Sequence, residues 1–103
     1  MIAALPPTPP ARVQVVAREF SLALSRPSIK AGNAIIEFAN FGEDAHDLRL
    51  QRVGGRKIYG WPLGQSGAVD DKALRLVPGR YRLWCSLGNH RALGMIATLL
   101  VKP

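Results

Sequence analysis

The sequence has 103 residues, of which 48 % are hydrophobic, and it carries 14 lysines and arginines against 7 aspartates and glutamates. This length predicts one domain with its own core, and no apolar run approaches the roughly 20 residues of a membrane-spanning helix. The single cysteine, Cys85, excludes an internal disulfide and any metal site that needs several thiolates.

The formal charge of +7 favours an anionic partner, but the basic residues are spread from Arg12 to Lys102. They do not form the dense stripe typical of nucleic-acid-binding proteins, so we expect no nucleic-acid partner.

The first eleven residues contain four prolines. Such a segment favours an extended polyproline conformation, so we expect residues 1–11 to form a tail and residues 12–103 to form the folded domain. The start lacks the basic stretch and the apolar core of a signal peptide. Either the chain is cytoplasmic, or an export signal has been removed from it.

From residue 12 onward, apolar and polar residues alternate in short runs rich in branched and aromatic side chains. This period of two residues predicts strands, and no helical period of useful length is present. About seven strands within one small domain predict an all-β fold, a two-sheet antiparallel β-sandwich with Greek-key connections. The runs lie at residues 12–17, 20–24, 34–40, 47–51, 72–77, 80–86 and 94–102.

Two segments between these runs carry turn signals. Residues 53–67 hold five of the ten glycines and predict a long loop. Its Trp61 could pack over a functional site, but a tryptophan that pins its own loop to the core is the more common arrangement. Pro78-Gly79 predicts a type II turn that joins two antiparallel strands, because proline fixes φ at the second position and glycine accepts a positive φ at the third.

Three residues that often bind metals lie close together, at the spacing Cys85-x4-His90-x4-Met95. The other histidine, His46, stands where another predicted strand begins. Taken singly, each of these residues is more often structural: a buried thiol, a surface histidine or a methionine that fills the core. Their joint placement at strand ends favours one metal site.

A thiolate, two imidazoles and a weak thioether are the ligands of a mononuclear blue copper site. Thiolate and thioether suit Cu(I), and imidazole suits both oxidation states. Zinc also binds nitrogen and thiolate ligands, but methionine is a poor ligand for zinc. The donor types therefore favour copper.

On these residues the chain resembles the cupredoxins over roughly residues 12–102. The two spacings of four residues are similar to those of rusticyanins, sulfocyanins and phytocyanins. The features that carry the resemblance are Asn40-x-Gly42 before His46, Pro78-Gly79-x-Tyr81 before Cys85, and His90, Gly94 and Met95 in the closing loop.

The resemblance implies a role for each ligand. Cys85 would supply the thiolate that gives the site its colour and electronic coupling, and His46 the buried imidazole. His90 would be the more exposed imidazole through which electrons enter and leave. Met95 would be the axial ligand.

The resemblance also implies residues around these ligands, among them Asn40 and Ser86. One position departs from the family, which usually has asparagine or serine directly after the first histidine, whereas this chain has Asp47. A carboxylate still accepts hydrogen bonds, but its charge would favour the oxidised metal. The reduction potential therefore depends on what Asp47 contacts.

The function that the resemblance implies is a type 1 copper protein that shuttles single electrons between redox protein partners, without substrate turnover. An apolar rim of Leu87, Leu93 and Pro62 around the exposed histidine would receive the partner. We expect a monomer, an acidic partner because of the positive charge, and a periplasmic or cell-surface location by analogy with the family.

Two alternatives come from other classes of protein. A copper storage or delivery protein would use the same donors, but delivery sites tend to be open and shallow. An enzyme would use Cys85 as nucleophile and His90 as base, which requires an exposed thiolate and a third group that orients the imidazole. Asn89 is too close in sequence for that third role, and Met95 would have none.

Overall fold

The computed structural model describes residues 8–103, so residues 1–7 of the predicted tail lie outside the described residues. Within the described part the chain forms nine strands and one short helix. The elements, in order, are β1 (Ala11–Arg18), β2 (Ser21–Leu24), β3 (Ser28–Lys30), β4 (Gly32–Asn40), β5 (His46–Arg52), β6 (Ile58–Gly64), β7 (Val69–Leu76), β8 (Gly79–Trp84), α1 (His90–Leu93) and β9 (Ile96–Lys102).

The strands form two sheets that pack face to face. The four-stranded sheet has the order β2-β1-β4-β7 and the five-stranded sheet has the order β3-β9-β8-β5-β6. Alternate residues of each strand point into the space between the sheets, which is why the period of two in the sequence predicts the core well. The inward side chains include Val15, Ile36, Phe38, Leu50 and Leu83, each at most 1 % exposed. The predicted sandwich is confirmed.

Its description as purely antiparallel is wrong, because two strand pairs are parallel. β1 pairs with β4 in parallel, with Val15 opposite Phe38, and β3 pairs with β9 in parallel. Alternation along one strand is the same whatever the direction of its neighbour. The sequence therefore identifies the strands but not these long-range pairings.

The Pro78-Gly79 segment does not close a hairpin, which corrects the predicted type II turn. β7 belongs to the four-stranded sheet and β8 to the five-stranded sheet, so this segment crosses from one sheet to the other. Gly79 has a φ of +154° and lies against the guanidinium of Arg52, where a Cβ would be 2.5 Å from Nε. The hydroxyl of Tyr81 donates to the carbonyl of Val77 at 2.8 Å, which ties β8 to the residue before Pro78.

The segment predicted as a long loop, residues 53–67, contains strand β6. This strand lies at the edge of its sheet, where one side of the backbone needs no partner, so glycine and Pro62 are tolerated. Trp61 is 2 % exposed, and its indole N–H donates to the carbonyl of Ile36 in the opposite sheet at 3.2 Å. As expected, this tryptophan pins its segment to the core.

The helix α1 is a single turn between β8 and β9, and it places His90 at one end of the sandwich. The sequence did not predict it, since four residues are too few to show a helical period. Among residues 8–103, no helix has the length and apolar character needed to cross a membrane.

Candidate metal centre

Three of the predicted ligands meet at one end of the sandwich. His46 is the first residue of β5, Cys85 directly follows β8, and His90 opens α1. One donor atom from each lies within 4.8 Å of the others. His46 and Cys85 are fully buried, and His90 is half-buried. The fold thus gathers a thiol and two imidazoles that are 39 and 44 positions apart from His46 in the chain.

The two imidazoles present the same ring nitrogen to each other. Nδ1 of His46 lies 3.2 Å from Nδ1 of His90, and the ring centroids are 5.0 Å apart at an angle of 61°. The sulfur of Cys85 lies 3.6 Å from Nδ1 of His90. Both Nδ1 atoms and the sulfur therefore face one small shared volume.

Met95 closes the loop that carries Cys85 and His90. The backbone N–H of Cys85 donates to the carbonyl of Met95 at 3.2 Å, and the N–H of Met95 donates to the carbonyl of His90 at 3.0 Å. Gly94, with a φ of +131°, lets the chain turn back at this point. The side chain of Met95 is fully buried, and the hydrogen bonds place its backbone beside both residues.

Asp47 connects β5 to the start of this loop. Its Oδ1 accepts the backbone N–H of Ser86 at 2.6 Å, and its Oδ2 accepts the hydroxyl of the same residue. The guanidinium of Arg49 lies 3.3 Å from Oδ2. Asp47 is 4 % exposed, so its charge is paired and hydrogen-bonded in a buried position beside Cys85.

Asn40 holds the segment that leads into His46. Its side-chain amide donates to the carbonyls of Asp44, at 2.8 Å, and Gly64, at 2.9 Å. Its Oδ1 accepts the backbone N–H of Gly42 at 2.9 Å. One buried side chain thus ties the end of β4, the following turn and the end of β6 together.

Burial raises the pKa of the Cys85 thiol, because a thiolate loses its solvation there. The backbone N–H groups nearby act in the opposite direction, and the negative charge of Asp47 adds to the rise. The raised pKa favours the neutral thiol over the thiolate at Cys85.

Sequence reasoning missed Glu19, which lies in the turn between β1 and β2. Its Oε1 is 2.9 Å from Nε2 of the buried His46. The backbone N–H groups of Asp44 and Glu43, followed by His46, lower the pKa of Glu19 to about 2. No motif marks this residue, which is one of seven acidic residues and lies 27 positions from its histidine.

The next residue, Phe20, contacts the other histidine. Its ring centroid lies 4.9 Å from that of His90, with the rings tilted by 56°. The predicted rim residues differ in their placement: Leu93 is 50 % exposed on α1, Leu87 is half-buried, and Pro62 is exposed on β6. Phe20, which is 37 % exposed, is an apolar side chain in contact with His90, and no sequence motif marks it.

No protein-family model and no curated protein matches the sequence. Solved structures do match. Auracyanin A from Chloroflexus aurantiacus, described as a "blue" copper protein, is 16 % identical, with a TM-score of 0.71 over 91 % of this chain and 100 % of that chain. Rusticyanin from Thiobacillus ferrooxidans is 18 % identical, with a TM-score of 0.67 over 88 % and 77 %. A purple cupredoxin from Nitrosopumilus maritimus is 15 % identical, with a TM-score of 0.63 over 86 % and 98 %. The chain therefore has the cupredoxin fold.

Proposed function

We propose that the protein binds one copper ion at a type 1 site and carries single electrons between redox partners. The observation that carries the proposal is the convergence of Cys85, His46 and His90, whose donor atoms lie within 4.8 Å of one another at a buried end of the sandwich. The fold is that of blue copper proteins such as auracyanin A.

The donors fit copper better than the other common metals. A thiolate with two imidazoles is the trigonal donor set of blue copper sites, with a thioether as a long axial ligand. Cys85 would supply the thiolate, His46 and His90 the imidazoles, and Met95 the thioether. Copper held by these residues would supply a one-electron couple between Cu(I) and Cu(II).

The protein's part in this function is to keep the donors in one arrangement for both oxidation states. Asp47 and Ser86 hold the start of the ligand loop against β5, and Asn40 holds the segment before His46. A site that does not reorganise transfers electrons with little nuclear motion, which suits a carrier.

Burial argues against the two alternative functions. A catalytic thiol needs partial exposure and a lowered pKa, whereas Cys85 is fully buried and its pKa is raised by burial. We therefore propose no substrate turnover. Storage and delivery proteins exchange their metal at open sites with exposed ligands. Two of the donors here, His46 and Cys85, are 0 % exposed.

Electrons would enter and leave through His90, the half-buried imidazole. Phe20 contacts His90, and the exposed Leu93 ends the same helical turn that His90 begins. We propose that a redox partner docks at this end of the sandwich, where Leu87 and Pro62 extend the rim. The protein would work as a monomer, outside the cytoplasm, in the periplasm or at the cell surface.

An acidic partner is favoured by an uneven distribution of charge that the sequence does not reveal. The strands of the five-stranded sheet carry six cationic residues and one carboxylate, Asp47, which is buried and paired. Those of the four-stranded sheet carry four cationic residues and three carboxylates. The six cationic residues are Lys30, Arg49, Arg52, Arg80, Arg82 and Lys102.

The test of the proposed function is a titration of the metal-free protein with Cu(II), followed by visible spectroscopy. We expect an intense band from charge transfer between thiolate and copper. Cys85→Ser should abolish that band while the far-ultraviolet circular dichroism stays that of a β-sandwich. A wild-type protein that binds one Cu(II) without the band would overturn the proposal.

A further inference from the structure

The turn between β1 and β2 contacts both imidazoles of the proposed copper site. Glu19 lies against Nε2 of His46 at 2.9 Å, and Phe20 lies against the ring of His90. The turn also approaches the ligand loop closely, since a Cβ at Gly94 would lie 2.7 Å from the carbonyl oxygen of Phe20. Two consecutive residues far from the ligands in sequence thus touch both histidines.

The carboxylate of Glu19 accepts hydrogen bonds from two backbone N–H groups as well as contacting His46. Oε1 accepts the backbone N–H of Asp44 at 2.7 Å, and Oε2 accepts that of Glu43 at 3.1 Å. Gly42 leaves room for it, because a Cβ there would lie 2.5 Å from Oε1. The segment between β4 and β5 therefore provides two backbone donors to this carboxylate, whose lowered pKa keeps it ionised at neutral pH.

This contact determines which nitrogen of His46 carries the proton. An ionised carboxylate only accepts hydrogen bonds, so Nε2 of His46 must be the donor. The neutral ring then has its lone pair on Nδ1, the atom that faces His90 and Cys85. In the metal-free protein, the hydrogen bond between the two Nδ1 atoms must take its proton from His90.

We propose that Glu19 is a positioning residue for the metal site: it fixes the tautomer and orientation of His46 and, by its charge, lowers the reduction potential of the bound metal. The effect on the potential rests on the proposed copper function, whereas the effect on the tautomer does not. Carboxylate partners of this kind orient histidine ligands and raise their basicity. A negative charge beside the ligand stabilises the more highly charged oxidised metal.

The first experiment uses the metal-free protein and long-range ¹⁵N–¹H correlation spectra of its histidines. We expect His46 to be protonated at Nε2 in the wild type. Glu19→Gln should keep that tautomer, since the amide oxygen still accepts. Glu19→Ala should lose it, giving a mixture of tautomers or faster ring exchange. A wild-type His46 protonated at Nδ1, or a spectrum that does not change in Glu19→Ala, would overturn the positioning role.

The second experiment measures the reduction potential of the copper-loaded variants. Glu19→Gln should raise the potential, because the charge is lost while the hydrogen bond is kept. The matched control is Glu43→Gln, which makes the same change of charge on an exposed neighbour. A rise no larger than in the control would overturn the charge effect. If the wild type gave no copper band, the proposed function would fail while the tautomer result still decided the role of Glu19.

Discussion

The carboxylate of Asp47 accepts hydrogen bonds from both the backbone N–H and the hydroxyl of Ser86, the residue that follows the thiol of Cys85. Asp47 itself follows His46, so one side chain links the residues next to two proposed ligands. Both carboxylate oxygens of Asp47 accept a hydrogen bond, and the guanidinium of Arg49 also lies 3.3 Å from Oδ2. These bonds tie the start of β5 to the segment that follows Cys85.

The first prediction concerns the charge of Asp47. Asp47→Asn keeps one acceptor for Ser86 and removes a negative charge, so the reduction potential should rise. A unit charge about 8 Å away at an effective dielectric constant near 20 contributes roughly 2 kcal/mol. That energy equals about 90 mV for a one-electron couple, and pairing with Arg49 reduces it. Voltammetry of the copper-loaded variant measures the change.

The control for this prediction is Asp71→Asn, which removes an exposed charge from β7 in the other sheet. Asp71→Asn should move the potential much less. Equal shifts in the two variants would mean that only the net charge of the protein matters, and that Asp47 has no specific influence on the metal.

The second prediction tests the assignment of Met95. Met95→Gln replaces a soft thioether by a harder oxygen, which stabilises Cu(II) more than Cu(I), so the potential should fall. Met95→Leu, of similar volume and without a donor atom, should not lower it. An unchanged potential in Met95→Gln would show that this side chain fills the core and does not contact the metal.

These two residues illustrate what the sequence reveals about the site. Cys85, His90 and Met95 lie on one loop, and their spacing is visible in the chain because their arrangement is local. Asp47 is visible because it adjoins His46. Each of these residues lies within a few positions of another proposed ligand, so the order of residue types is sufficient to find it, although the partner of Asp47, Ser86, lies 39 positions away.

Glu19 and Phe20 could not be found in this way. Their contacts with the histidines arise from the packing of the β1–β2 turn against the segment before β5 and against the ligand loop at Gly94, and the place of this turn depends on the parallel pairing of β1 with β4. Alternating residues do not encode that direction. The clustering of cationic residues on one sheet has the same origin, because strand order and not sequence order brings Lys30 beside Lys102.

The third prediction follows from the pKa of Glu19, which folding lowers from 4.5 to about 2. A group with a lowered pKa in the folded state stabilises the protein above its ordinary pKa, and this contribution is lost as pH falls. The metal-free wild type should therefore lose stability between about pH 4.5 and pH 2. Glu19→Gln should be less stable than the wild type at pH 7 and should lose less stability over that range.

Urea unfolding of the metal-free proteins at a series of pH values measures this difference. Glu43→Gln is again the control, since it removes one carboxylate but leaves the contact between Glu19 and His46 in place, so this variant should still lose stability as Glu19 is protonated. If Glu19→Gln lost as much stability in acid as the wild type, the carboxylate would not be coupled to folding as the hydrogen bonds indicate.

The fourth prediction concerns the basic five-stranded sheet. Oxidation of the reduced protein by an anionic reagent, hexacyanoferrate(III), should slow as salt is added, because screening weakens the attraction. Oxidation by the cationic tris(phenanthroline)cobalt(III) should speed up as salt is added, because screening weakens the repulsion.

Two double variants test where the charge acts. Arg80→Gln/Arg82→Gln removes two charges from the basic sheet, and Arg12→Gln/Arg75→Gln removes two from the other sheet. The two double variants have the same net charge, so any difference between them comes from location. We expect the first pair to lower the low-salt rate with hexacyanoferrate(III) more than the second. Equal losses would mean that the total charge attracts an acidic partner and that neither sheet is specially suited to it.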